Sequence, residues 1–75
     1  MAALSKFEKD WYKEIELHPE LEKELSNLLS YASETEANDA SDIITAIELL
    51  MFDCEYDNRR VPAWLAKLAK FYGVL

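Results

Sequence analysis

The sequence predicts an all-α fold, a small four-helix bundle with a central hydrophobic third helix. Apolar residues recur every three or four positions in four separate segments, which is the spacing of the buried face of a helix. The two prolines and the single glycine lie between or after these segments, where helices begin and end. No segment alternates apolar and polar residues as a strand would, so we expect no sheet.

Size and composition predict one domain that spans residues 1–75. A hydrophobic fraction of 51% with one glycine and two prolines is typical of a packed globule rather than a disordered segment. The single cysteine, Cys54, has no partner for an internal disulfide, which favours a reducing compartment and a cytoplasmic location. The apolar runs are far shorter than the roughly 20 residues of a membrane span, so we expect a soluble protein without membrane contact.

Helix 1 is predicted to begin near Ser5, which forms a capping-box pattern with Glu8. Phe7, Trp11 and Ile15 recur at four-residue spacing and define its buried face. The charged side chains around them are expected to face solvent as ordinary surface charge: Lys6, Lys9, Asp10, Lys13, Glu14 and Glu16.

Helix 2 is predicted to begin at Pro19. The residue before a proline is biased away from helical geometry, so His18 ends helix 1 and is expected to be a solvated residue at the joint. Proline itself suits the first turn of a new helix. One buried stripe then continues along helix 2: Leu21, Leu25, Leu28, Leu29 and Ala32.

Helix 3 is the most apolar segment and is predicted over residues 41–57, with Ser41 as its cap. The preceding residues 33–40 are small, polar and acidic without periodicity, which predicts a loop. One side of helix 3 is expected to be buried: Ile43, Ile47, Leu50, Met51 and Cys54. Leu49 and Phe52 point elsewhere, so the bundle or another molecule must cover this helix on more than one side.

Helix 4 is predicted to open at Pro62 and to run to about Tyr72, with Gly73 as a left-handed stop. Asp57 and Asn58 close helix 3 ahead of it. The inner face of helix 4 is predicted from five residues: Trp64, Leu65, Leu68, Phe71 and Tyr72.

Charge is distributed unevenly along the chain, which has a formal net charge of −7. No lysine or arginine occurs between Glu24 and Asn58, and no acidic residue follows Asp57. This order of charges predicts a molecule with an acidic end and a basic end. The acidic excess disfavours direct binding to nucleic acid and favours attraction to a basic partner.

No catalytic, cofactor or metal motif stands out, so we expect a protein that is not an enzyme and uses no cofactor or metal. The sequence contains neither a glycine-rich phosphate loop nor a metal-ligand spacing. His18 is the only histidine, and no second histidine or cysteine pair supplies further ligands. Cys54 is flanked by Asp53 and Glu55, whose charges disfavour a reactive thiolate.

A partner-binding surface is predicted from residues that do not fit the buried stripes. Aromatic side chains left on a surface are enriched where proteins bind each other, and acidic groups attract a basic surface. Ten residues are expected to contact the partner: Tyr31, Glu34, Glu36, Asp39, Glu48, Leu49, Phe52, Asp53, Glu55 and Tyr56. Tyr12 is a further aromatic residue outside the stripes.

The expected function is that of a non-catalytic acidic protein-binding module. It would act as a small regulator or inhibitor that occupies a basic surface of a larger protein, for example one that handles nucleic acid. One alternative is a structural or self-associating subunit, such as a homodimer in which a second copy covers helix 3. A weaker alternative is a helix-turn-helix whose last helix meets phosphate through four cations: Arg59, Arg60, Lys67 and Lys70.

The acidic loop that leads through Ser41 into the helix TAIELLMFDCEYD resembles part of an acyl carrier protein. The resemblance implies, as a minor alternative, an accessory domain with a phosphopantetheine group on Ser41. Carrier proteins place that serine directly after an aspartate and before a leucine or similar residue. Here Ala40 precedes Ser41 and Asp42 follows it, so the motif is absent and we expect no such modification.

Overall fold

The computed structural model describes residues 6–75, apart from the side chains of residues 36 and 38. The described chain forms four α-helices: α1 (Lys6–Leu17), α2 (Glu22–Ala32), α3 (Ile43–Tyr56) and α4 (Ala63–Phe71). Two short 3-10 helices lie at Pro19–Leu21 and Glu36–Asp39, and this part of the chain contains no strand. The predicted all-α fold is confirmed. The predicted start of helix 1 at Ser5 lies outside the described residues.

The four helices enclose one core. Helices α1 and α4 each contact both α2 and α3, whereas the backbones of α1 and α4 do not approach each other. Helix α3 therefore touches every other helix, as predicted for the central element, and α2 shares that position. The largest fully buried side chains come from all four helices: Phe7, Leu25, Leu28, Ile43, Ile47, Leu65 and Leu68.

A tryptophan fixes α1 against α2. The side chain of Trp11 is buried, and its indole N–H donates a hydrogen bond to the backbone carbonyl of Leu25. The pairing satisfies the one polar group of the indole while the ring fills the core. The chain turns between these helices at His18 as predicted, although Pro19 opens a 3-10 turn and α2 itself begins at Glu22.

Residues 33–40 are more ordered than the predicted loop. Residues Glu36–Asp39 form a 3-10 helix that contacts α1, α2 and α3. The hydroxyl oxygen of Thr35 accepts a hydrogen bond from the N–H of Ala37 at the start of this turn, 3.2 Å away. Ala37 and Ala40 are buried in the core. Two alanines are too few to produce a periodic apolar signal, so the sequence pattern did not reveal this packing.

The cap of α3 is Asp42, and the prediction that Ser41 caps this helix is wrong. The Asp42 carboxylate accepts a hydrogen bond from the N–H of Thr45 at 2.8 Å. A second carboxylate, that of Asp10 in α1, accepts the N–H of Ile43 at 2.8 Å. The expectation that Asp10 is ordinary surface charge is therefore also wrong. Two carboxylates satisfy free N–H groups at the positive end of the helix dipole.

Helices α3 and α4 end in the same motif. After α3, Asn58 adopts a left-handed φ of 56°, and the N–H of Arg59 donates to the carbonyl of Cys54 at 2.8 Å. After α4, Gly73 adopts a φ of 77°, and the N–H of Val74 donates to the carbonyl of Ala69 at 2.7 Å. Both are Schellman motifs, in which a left-handed residue reverses the chain and satisfies terminal carbonyls. The predicted closures at Asn58 and Gly73 are confirmed.

The inner face of α4 differs from the prediction at its last turn. Leu65 and Leu68 are buried as predicted, together with Ala69. Phe71, which was predicted on the inner face, is 48% exposed. Its ring packs edge-on against the imidazole of His18, with ring centroids 4.8 Å apart. His18 is accordingly half-buried at the joint rather than fully solvated.

Candidate functional site

Helix α3 buries one side and leaves large apolar residues on the other. Its buried residues fall on one helical stripe: Ile43, Ala46, Ile47, Leu50 and Cys54. On the opposite side Ile44 and Leu49 are exposed, and Phe52 and Tyr56 are 69% and 83% exposed. We call this side the outer face of α3, and it comprises seven residues: Ile44, Glu48, Leu49, Phe52, Asp53, Glu55 and Tyr56. No helix of the described chain covers it.

The outer face alternates apolar and acidic side chains. Glu48 and Glu55 are seven residues apart, which on a helix places them on the same side about two turns and roughly 10 Å from each other. Phe52 lies between them along the helix. Asp53 lies on the opposite flank of the outer face. The face is thus an exposed hydrophobic surface bordered by negative charge.

A shallow groove of about 500 Å³ runs beside the outer face of α3. We call it the α3 groove, and seven residues line it: Glu48, Met51, Phe52, Glu55, Arg59, Val61 and Val74. The Schellman motif of α4 holds Val74 in this position, and the one that ends α3 places Arg59. Met51, Val61 and Val74 are partly buried and pack against the core. The core of the bundle therefore supports the apolar residues of the groove.

A smaller and more enclosed cleft of about 310 Å³ lies on the other flank of α3. We call it the aromatic cleft, because the rings of Tyr31 and Trp64 stack in its wall, with centroids 5.4 Å apart and an interplanar angle of 28°. Four charged side chains also line it: Glu34, Asp53, Arg59 and Arg60. Two acidic and two basic groups give this cleft no strong preference for ligands of one sign.

The predicted partner-binding residues surround α3 but do not form a single patch. Tyr31, Glu34 and Asp53 line the aromatic cleft, whereas Glu48, Phe52 and Glu55 line the α3 groove. Asp39 and Leu49 line a third, shallow hollow. Tyr56 is the most exposed large apolar residue of the described chain. The side chain of Glu36 lies outside the described part. Tyr12 is half-exposed on α1 and packs edge-on against the ring of Trp11.

Sequence reasoning missed several residues at the outer face and the groove. Ile44 lies four residues before Glu48 on the same stripe, and a helical projection of α3 could have identified it as exposed. The groove residues Val61 and Val74 carry no such signal. They reach α3 only through the way α4 packs and ends.

Opposite charges meet between α2 and α4, a contact that the predicted acidic and basic ends do not include. The ammonium group of Lys67 in α4 lies 2.8 Å from the carboxylate of Glu24 in α2. The hydrogen bond from Lys67 holds the pKa of Glu24 below its ordinary value of 4.5. Arg59 lies 3.3 Å from Asp57 at the end of α3. The bundle brings α2 beside α4 and so pairs charges that are far apart in the sequence.

The cysteine and the histidine of the chain both pack against other residues of the bundle. Cys54 is buried in the core. His18 lies 3.9 Å from Glu14 and 3.5 Å from Glu20, next to the ring of Phe71. Within residues 6–75, no three side chains of the metal-binding types gather into a possible ion site. The helices of this part also lack the combined length and apolar character needed to cross a bilayer.

Comparison with known proteins adds no relative: no family model, no curated protein and no solved structure matches this chain.

Proposed function

We propose that this protein is a non-catalytic binding module, a small regulator or inhibitor that docks the outer face of α3 on a basic surface of a larger protein. The observation that carries the proposal is the exposed row of Phe52, Tyr56 and Leu49 on the most apolar helix of the fold. A small domain gains stability from every apolar side chain that it buries, yet this helix leaves some of its largest ones in water.

The side chains of the outer face are of the types that dominate protein interfaces. Phenylalanine and tyrosine are enriched at the centres of interfaces, where they supply most of the binding energy. Phe52 and Tyr56 are four residues apart and lie on one stripe of α3, so one flat partner surface can contact both. The backbone beneath them is a regular helix capped by Asp42 at its start. Such a surface is preorganised, which lowers the entropy lost on binding.

The charge of the outer face selects a basic partner. Glu48, Asp53 and Glu55 are exposed around the apolar row, and the whole chain carries a net charge of −7. Complementary charge raises the rate of association and excludes acidic partners, whereas the apolar contacts hold the complex. The same charge disfavours the alternative of self-association, because two outer faces in contact would bring these carboxylates together.

The test is a charge reversal on the outer face with a matched reversal elsewhere. Purified wild-type chain, the E48K/E55K variant and the E16K/E22K control are immobilised and exposed to lysate of the source organism. Glu16 and Glu22 are exposed on α1 and α2, and their reversal changes the net charge equally. We expect a partner that wild type and control retain, that E48K/E55K loses, and that elutes as salt rises.

Two controls make the result specific. Far-ultraviolet circular dichroism must show equal helix content for all three chains. The recovered partner is then purified and titrated against each chain. The proposal is wrong if E48K/E55K binds that partner as tightly as E16K/E22K does, or if the affinity is independent of salt.

A further inference from the structure

We infer that the α3 groove receives an amphipathic basic helix of the partner, with one large apolar side chain in the groove and two cations seven residues apart on Glu48 and Glu55. This inference rests on the proposed function and specifies the partner's chemistry. It follows from the apolar lining of the groove, the spacing of its acids and the hydrogen-bonding needs of a docked backbone.

The lining of the groove fits one large apolar side chain. Four apolar residues line the groove: Met51, Val61 and Val74, which are partly buried against the core, and the exposed Phe52. The cation in the lining, Arg59, is paired with Asp57 at 3.3 Å. None of the four apolar side chains carries a strong hydrogen-bonding group, so they favour an apolar side chain of the partner over a polar one. A space of about 500 Å³ that is open to solvent admits a leucine or phenylalanine without rearrangement.

The two acids of the groove set the spacing of the partner's charges. Glu48 and Glu55 border the groove at both ends of Phe52, about two helical turns apart. A helix that lies along α3 presents residues seven apart at the same separation. Lysine or arginine at positions 1 and 8 of such a helix would meet Glu48 and Glu55, and position 4 or 5 would enter the groove.

A helix suits this site better than an extended peptide does. An extended strand needs backbone partners for its N–H and C=O groups, and recognition of strands ordinarily uses an exposed sheet edge. The described chain has no strand and therefore no sheet edge for an extended peptide to join. A helix satisfies its own backbone and presents only side chains to the groove.

A second copy of this chain does not supply the required helix. Lys6 and Lys13 of α1 are seven residues apart, but Lys9 and Asp10 lie between them on that side, where an apolar residue is needed. In α4, Lys67 pairs with Glu24 and stands only three residues from Lys70. No helix of residues 6–75 fits the groove, so we assign the docked helix to a different protein.

The test is a selection that does not depend on knowing the partner. One helix of a stable three-helix scaffold is randomised at its exposed positions over about three turns, displayed on phage and selected against the wild-type chain. We expect the selected helices to carry lysine or arginine at two positions seven apart, with a large apolar residue three or four positions after the first.

Variants of the groove provide the second readout. A selected helix should bind E48Q/E55Q about fivefold or more weakly than wild type and bind E16Q/E22Q as wild type. F52A should weaken it about tenfold. L17A removes a side chain that is exposed at the end of α1, and it should have little effect.

Three outcomes would overturn the inference: selected helices without the seven-residue register, selected helices that bind E48Q/E55Q as well as wild type, or a selection that yields no specific binder. The proposed function can survive each of them. It fails separately, if the partner recovered from lysate binds E48K/E55K and E16K/E22K equally.

Discussion

Tyr72 shows how one side chain responds to the fold around it. Its hydroxyl oxygen is buried beside the carboxylate of Glu14. Burial, together with the nearby carboxylate of Glu14, raises the pKa of this phenol well above its ordinary value of 10.0. Asp10 and Glu20 act in the same direction. The folded protein therefore keeps Tyr72 protonated at a pH where the unfolded chain ionises it.

This raised pKa predicts a loss of stability in alkaline solution that depends on Tyr72. Above about pH 10 the unfolded chain releases the phenolic proton and the folded chain does not, so the free energy of unfolding falls as pH rises. We expect Y72F to lose less stability than wild type between about pH 8 and about pH 11 in urea denaturation.

The control for this prediction is Y56F. Tyr56 is 83% exposed, so folding does not bury its hydroxyl group. Y56F should follow the wild-type pH dependence. Equal pH dependence for Y72F and Y56F would contradict the account of Tyr72.

Single positions are also where sequence reasoning had its clearest errors. Ser41 and Asp42 are adjacent residues that can both cap a helix, and only the backbone geometry decides that Asp42 does so. Asp10 resembles its charged neighbours on α1, and its contact with Ile43 spans 33 positions of the chain. Phe71 follows the apolar period of α4, but the period alone does not show that this position stays 48% exposed.

The capping contact of Asp10 joins α1 to the first turn of α3. Its carboxylate satisfies the N–H of Ile43, which has no partner within its own helix. We expect D10A to lower the free energy of unfolding by about 1–2 kcal/mol, because a partly buried N–H loses its acceptor. D10N should recover much of this loss, since an amide oxygen can also accept. Urea denaturation at neutral pH measures all three chains.

The comparison for D10A is E16A, which removes an exposed acid from the same helix. E16A should change stability by less than about 0.5 kcal/mol. If D10A and E16A are equally stable, the bond from Ile43 contributes nothing and α3 begins without help from α1.

Helix boundaries were predictable wherever a residue restricts the backbone by itself. Pro19 and Pro62 precede α2 and α4, and Gly73 adopts the left-handed conformation that ends α4. The 3-10 helix Glu36–Asp39 was not predictable in this way. It contacts three helices and buries Ala37, and no local pattern reports those contacts.

For the whole molecule, the net charge and the exposed apolar surface predict opposite tendencies to self-associate. The outer face of α3 favours association with another copy, and a net charge of −7 opposes it. Because the carboxylates border the apolar row itself, we expect repulsion to dominate. Light scattering should show a monomer of 8.7 kDa at low and at physiological salt. A dimer that F52A converts to monomer would instead support the self-associating subunit.

The part of the site that lies on α3 was predictable from sequence, and the part that lies between elements was not. Phe52, Tyr56 and Leu49 fall outside the buried stripe in any helical projection, and the structure leaves them exposed. The α3 groove requires the packed position of α4 and the turn that returns Val74 to α3. Both depend on tertiary contacts, which a linear pattern does not contain.

The burial of Cys54 allows the motion of α3 to be measured through a residue of the protein itself. Its sulfur is the only thiol in the chain and lies on the core side of α3, whereas the candidate surface lies on the other side. Cys54 lines the aromatic cleft but is only 8% exposed, so we expect its alkylation to be slow in the packed bundle and to speed up when α3 moves away from its neighbours. A ligand that docks on the outer face would slow that reaction without touching the sulfur. Binding can thus be followed with no label on either molecule.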